Sequence, residues 1–231
     1  QVGQIAARET SIFMIPNGVA NPGQNTGYAN QLTAAGANAG AARITLASAL
    51  PAISGANTIL DGRTQTANVR ATAGGAETNP GQIGTGGTVG TSGTTLPLFN
   101  RPEVVVNAAA TLISATGASA VVRALVVENG AISVAGANSE LRDALVGVRA
   151  DGTVGTVYSA NYGITIGAGS GIVVSHDYVK VNNSGIRGDA TGANAIIEFC
   201  EVDSLTGAPG GGQTNTFDGI LIINSATNVT V

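Results

Sequence analysis

Short runs of Val, Ile and Leu restart again and again just after a glycine. They begin in "NGAISVAGANSELRDALVGVRADG" from residue 129, "YGITIGAGSGIVVSHDYVKVNNSG" from 162, "SGIRGDATGANAIIEFCEVDS" from 184 and "DGILIINSATNVTV" from 218. Inside the runs apolar residues alternate: Ile164 and Ile166 flank Thr165, Val179 and Val181 flank Lys180, and Val146 and Val148 flank Gly147. A period of two belongs to a strand with one buried and one wet face. Lys180 is therefore expected to point outward. The leading glycines, Gly130, Gly163, Gly185 and Gly219, are spaced by 33, 22 and 34 residues. A unit of 22 fits the middle step. The outer steps add "DGTVGTVYSANY" (151–162) and "TGAPGGGQTNTF" (206–217), which read as loops because Gly, Asn, Thr and Pro dominate them. A constant rung with variable insertions is the signature of a solenoid, in which an added loop leaves the stacked strands untouched.

The rungs also align with one another. Residues 139–152 match 172–185 at an offset of 33, which sets Leu141 on Val174, Val146 on Val179 and Val148 on Val181. Residues 196–203 match 173–180 at an offset of 23, which sets Ile197 on Val174 and Val202 on Val179. Upstream, "TLISATGASAVVRALVVENG" (111–130) reads as a shorter rung, and "ITLASALPAISGANTILDGRTQ" (44–65) as two short strands around Pro51. Residues 71–95, rich in Gly and Thr, read as a long projecting loop with room for short strands. The Ala-rich stretch 27–44 is expected to hold a short helix ended by Gly36 or Gly40, covering the open end of the core.

"ITLASALPAISGANTILDGRTQ", "ASAVVRALVVENG" and "SELRDALVGVRADGT" together resemble bacterial surface proteins with right-handed parallel β-helix repeats, in the pectin-lyase-like superfamily. The resemblance covers roughly residues 43–231. It implies an all-β, right-handed parallel β-helix with three-strand coils of about 22 residues. It also implies a dry interior, secretion, and a role as a stalk, adhesin or envelope component. It does not imply one activity, because the fold hosts lyases, hydrolases, phage spikes and inert scaffolds. The expected organisation is an N-terminal capping segment at 1–43 and a β-helix at 44–231 with the insertion at 71–95.

Composition narrows the picture. Aromatic residues make up only 3% of the chain and Trp is absent, so the core must be filled by Val, Ile, Leu and Ala. Charged residues are 10%, with a net charge of -4, which offers no basic stripe for nucleic acid and no polybasic membrane anchor. No apolar run approaches the ~20 residues of a transmembrane helix. Cys200 is the one cysteine, so no intrachain disulfide forms, and it reads as a small buried apolar residue rather than a nucleophile. The chain begins at Gln1, which suggests a removed signal peptide or a fragment of a longer protein. An extracellular or cell-surface location is expected.

Candidate chemistry is thin. His176 beside Asp177 invites a general-base reading. However, adjacent strand residues face opposite ways, and the aligned rungs carry Asp143-Ala144 and Phe199-Cys200 there. The pair is expected at a wet turn, without a partner in neighbouring rungs. The acids Asp143, Asp151, Asp177, Asp189, Glu198, Glu201, Asp203 and Asp218 are spread along the rungs. They do not form the convergent cluster that calcium binding or glycoside cleavage needs. Asp203 falls opposite Lys180, which reads as an outer-face ion pair. "DGRTQ" (61–65) and "GTGGTVG" (84–90) lack the Lys-Ser/Thr of a phosphate loop. The sequons at 182–184 and 228–230 read as incidental. No catalytic residue, metal ligand or cofactor is expected.

Two features point to assembly. "RALVV" (123–127) and "GILII" (219–223) are continuously apolar, so Leu125, Val127, Leu221 and Ile223 are expected to face outward if their neighbours face in. Their cover would be the N-terminal segment or another subunit. The final "SATNVTV" aligns with the middle of a rung, so Val229 and Val231 join the candidate subunit contacts. The leading expectation is a structural surface protein that self-associates by rung stacking. The alternative is a polysaccharide-binding or polysaccharide-degrading protein that contacts a cell-surface glycan.

Overall fold

The computed structural model describes residues 8–21, 24, 27–65, 78–91, 93–155, 162–181, 184–189, 192–204, 219–223 and 228–231. Strands dominate them, and the two large sheets are parallel throughout. Sheet one stacks β1 (Glu9–Ile12), β3 (Thr58–Asp61), β9 (Val121–Arg123), β11 (Glu140–Arg142), β14 (Val173–Ser175) and β17 (Ile196–Glu198) in that order. Sheet two holds β2 (Ala42–Thr45), β8 (Val104–Ala115), β10 (Val126–Val134), β12 (Leu145–Val146), β13 (Tyr162–Ile166), β15 (Tyr178–Val181), β16 (Ser184–Asp189), β18 (Glu201–Ser204) and β19 (Ile220–Ile223).

Strands β8 and β10 cross the whole of sheet two and bend at a register shift between Glu128 and Gly130. The near half continues through β12, β15 and β18, and the far half through β13, β16 and β19. From β9 onward the chain visits sheet one, the near half and the far half in turn, then returns one layer further on.

The register matches the repeat offsets. Leu141 pairs with Val174 and Val146 with Val179, and in the next layer Val174 pairs with Ile197 and Val179 with Val202. The 22-residue step appears as Ile164 opposite Ile186. The first glycine step slips by one, because Ile132 meets Ile164. One set of side chains converges inward in columns: Ile113, Ile132, Ile164 and Ile186 from the far half; Val127, Val146 and Val179 from the near half; Val122, Leu141, Val174 and Ile197 from sheet one. The fully enclosed members of this core are all Ala, Val, Leu or Ile. β-Branched residues suit it because their stiff side chains fill a pleated layer at low entropic cost. Each buried Val, Leu or Ile stabilises by roughly 1.5–3 kcal/mol.

A second apolar cluster lies on the outside of the near half: Val105, Val126, Leu145, Val148 and Tyr178, under Ala41, Phe99 and Ala150. Val148 belongs here and not to the inner face, because Gly147 at φ 85° breaks the alternation. The N-terminal segment is pinned over this face by buried polar groups. Glu128 receives Arg43 Nε at 3.0 Å and Asn38 Nδ2 at 3.3 Å, while Asn38 Oδ1 accepts from the Ala150 amide at 2.8 Å. Phe13 packs on the inner core next to β1, and Gln65 grips Ile15 through both its amide nitrogen and its amide oxygen. No helix among the described residues is long and apolar enough to cross a membrane.

One expectation fails. The helix at 27–44 is absent: residues 28–41 run as irregular chain with a turn at 37–40, and Ala42–Thr45 is strand β2. Gly36 and Gly40 both take left-handed φ, near 80°, which stops any helical run between them. The described part of the 71–95 insertion is largely exposed and carries short strands. Short strands β4 (Gln82–Ile83), β5 (Thr88–Val89), β6 (Thr94–Thr95) and β7 (Phe99–Asn100) form two antiparallel pairs, β4 with β7 and β5 with β6. Ile83 and Phe99 lay this overlay onto the near half of sheet two. Residues 71–77 and 92, most of 151–162 beyond Gly155, and the 206–217 loop lie outside the described residues.

Candidate functional site

Where sheet one turns into the near half of sheet two, each layer places one residue in the left-handed region: Ala124, Asp143, His176 and Phe199, with φ of 54°, 55°, 58° and 53°. The stack is held by main-chain bonds, from Ala124 N to Arg142 O at 3.1 Å and from His176 N to Glu198 O at 3.1 Å. The next residue in each layer, Leu125, Ala144, Asp177 or Cys200, lies against the inner core.

His176 is not unpartnered. Its Nδ1 lies 2.9 Å from Asp143 Oδ1 in the preceding layer, with both side chains 38% exposed. With Asp143 ionised, Nδ1 is the donor of this bond. The ring of Phe99 leans on His176 at 5.0 Å and on Tyr178 at 5.7 Å between centroids. This is a carboxylate-oriented imidazole backed by an aromatic wall. It is competent for proton transfer, but Asp177 plays no part in orienting it.

Asp177 is not on the wet side either; it is fully buried. Its Oδ1 accepts from the Ala144 amide at 2.7 Å, and Oδ2 has no hydrogen-bond partner among the described residues. Burial, aided by the charge of Asp143, pushes its acid well above the ordinary carboxylate range, against the Ala144 amide, the influence of the Ser175 amide and the pull of Arg142. The left-handed residue before it turns the strand so that position 177 faces in. One layer on, burial pushes the Cys200 thiol up to about 12, and its Sγ lies 3.3 Å from Glu198 O. A thiol so hard to ionise is a packing residue and not a nucleophile.

The remaining acids are occupied separately. Lys180 Nζ donates to Asp203 Oδ2 across the layers, as the alignment anticipates, and that hydrogen bond raises the lysine's pKa over the opposing effect of burial. Glu201 receives the Thr85 amide at 2.8 Å and the Thr85 hydroxyl at 2.7 Å. Asp151 caps Thr153, and Glu198 is exposed. The side chain of Asp189 and the whole of Asp218 lie outside the described residues. Among the described residues no three His, Cys, Asp or Glu side chains are placed to hold a metal ion. On sheet one, Asp61 bonds Arg123 Nη2 at 2.7 Å and Arg63 Nε at 3.2 Å. Burial raises the Asp61 pKa, but the two arginines outweigh it and hold the carboxyl below its ordinary value.

The candidate subunit contacts divide. Leu125 and Val127 are fully buried in the inner core, so neither meets a second subunit; Val126 between them faces out, under this chain's own Phe99 and Ala41. Leu221 and Ile223 continue the register of Arg187 and Asp189 and are half-buried. Val229 packs partly on the core, and Val231 is 72% exposed.

Sequence reasoning missed a second column. At the turn from the far half back to sheet one, Gly-x-Asn recurs at 55–57, 136–138 and 192–194, with Gly117-Ala118-Ser119 and Gly169-Ser170-Gly171 as variants. The third residue is left-handed every time, with φ between 54° and 67°. The glycines stack so closely that a Cβ on Gly136 would sit 1.9 Å from the Gly117 carbonyl oxygen. The motif is visible in the sequence once the rungs are aligned at their turns as well as their strands.

No family model, no curated protein and no solved structure matches the chain.

Proposed function

We propose that the chain is a right-handed parallel β-helix of three-strand coils, exported from the cell and used as a structural surface element: a stalk, an adhesin or a filament component. The observation that supports this best is how its charged groups are spent. Asp61 with Arg123, Asp143 with His176 and Lys180 with Asp203 each tie one layer to the next, and Glu201 ties a layer to the overlay. Groups used this way stiffen a long stack and are distributed along it, whereas catalysis on a polymer gathers them around one scissile bond.

Self-association rests on the exposed apolar residues of the last described layer. Ile196 bridges Thr230, and Ile196, Phe199 and Val231 are 36%, 66% and 72% exposed. Such a patch on a neighbouring copy would be covered. Light scattering over a range of concentrations, with negative-stain electron microscopy, tests it. End-to-end or lateral multimers are expected, and Phe199→Ser should weaken them. A monodisperse monomer at every concentration overturns self-association.

The half-exposed Asp143–His176 pair favours one other reading, a polysaccharide-binding or polysaccharide-degrading protein. A screen of neutral and acidic glycans for binding, new reducing ends or unsaturated products decides it. Activity that Asp143→Asn abolishes would replace the structural reading.

A further inference from the structure

The overlay's contacts with the layers of β15 and β18 gather around one residue. Phe99 rests on His176 and Tyr178, and Thr85 is held by Glu201. His176 and Tyr178 flank Asp177 in the sequence, and the Glu201 amide donates to Asp177 O at 2.9 Å. The base of the overlay is fixed elsewhere: Asn79 Nδ2 donates to Pro102 O and Ala150 O, and Glu103 accepts from the Thr78 amide. The seats of Phe99 and Thr85 thus lie at the Asp177 corner, while the base and Ile83 are held by other layers.

The Asp177 carboxyl sits in an inward column otherwise made of Leu125, Ala144 and Cys200, with one oxygen bonded to Ala144 N and the other unpartnered. Charged and titratable groups around it are Arg142 and Asp143 from the preceding layer, His176 and Tyr178 on its own, and Cys200 and Glu201 from the following one. A carboxylate here would leave one charged oxygen without a donor in an apolar wall, and the way to solvate it is to open the corner.

We propose that Asp177 is a pH-operated latch for the overlay: its neutral carboxyl keeps the 176–178 corner closed with Phe99 and Thr85 seated, and loss of its proton to water opens the corner and lifts the overlay tip. The lifted tip bares the apolar strip of Val126, Leu145 and Tyr178. The acid is raised in the closed form, so closure is favoured at acidic pH and lost as pH rises toward that raised value. The inference goes beyond the structural role and is independent of it, since the latch works in a monomer or a multimer.

Hydrogen exchange at stepwise pH, expressed as protection factors so that the chemical rate's own pH dependence cancels, tests it on the whole chain. In the wild type, protection over residues 82–100 should fall by up to about tenfold per pH unit while the core strands β10 and β13 keep theirs. Asp177→Asn should keep the overlay protected at every pH. Glu201→Gln should weaken overlay protection at every pH and leave its pH dependence in place. The latch is overturned if wild-type overlay protection does not change with pH, if it is lost together with that of the core strands, if Asp177→Asn retains the wild-type profile, or if Glu201→Gln abolishes the pH dependence.

Discussion

The two kinds of corner in each layer use the same backbone conformation and opposite chemistry. At the Gly-x-Asn turn and its variants the left-handed residue is Asn57, Ser119, Asn138, Gly171 or Asn194, types that mostly enter this region at low cost. At the other corner the same conformation is taken by Ala124, Asp143, His176 and Phe199. The first corner is uniform and tightly packed, and it holds the stack in step. The second varies from layer to layer, and at Phe199 it accepts both a disfavoured φ and a ring 66% exposed to water. The Asp143–His176 pair, the buried Asp177 and the seat of the overlay all lie at this second corner. Regular architecture and candidate chemistry are separated within each layer.

The comparison breaks most easily at the uniform corner. Gly136→Ala drives a Cβ into the Gly117 carbonyl oxygen at 1.9 Å, backbone that cannot move without disturbing the next layer. Urea unfolding should show a loss of about 3 kcal/mol or more. On the face between the corners, Asp61→Asn leaves the partly buried Arg123 without its anion and should cost about 2–3 kcal/mol. Because the Asp61 carboxyl is held below its ordinary value, its stabilisation is present above that value and lost as pH falls through the lowered one. The acid limb of a stability–pH curve should therefore flatten in Asp61→Asn.

A paired exchange sharpens the contrast. Asn138→Ala should destabilise by about 1 kcal/mol, while Phe199→Asn should stabilise by a similar ~1 kcal/mol, since each changes the cost of a left-handed residue in opposite directions. Equal signs in the two melting curves would show that strain does not distinguish the corners. The smallest effect belongs to Asp203→Asn. Its pair with Lys180 is partly exposed, so the loss should stay under ~1 kcal/mol and shrink further at high salt.

Much of the stack is legible in the order of residues alone. The inward ladder of Leu141, Val174 and Ile197 follows from a period of two and from offsets of 33 and 23, and Lys180 lands opposite Asp203 as the alignment requires. Alternation reports which face a residue takes only while the backbone stays extended. At His176 it does not, so parity puts Asp177 at a wet turn although it is buried. At Gly147 the same failure moves Val148 from the inner face to the outer cluster. Leu125 and Val127 are misread as outward because a doubly apolar run carries no mark of which side is the core.

The sequence by itself determined the repeat, the strand register and the aliphatic filling, because each is a local periodic property that stacking only copies. Tertiary structure alone decided what covers the outer apolar face, that His176 meets Asp143 and that Asp177 is dry. These depend on residues from different layers and from the overlay, brought together by left-handed corners whose side-chain directions no sequence period encodes.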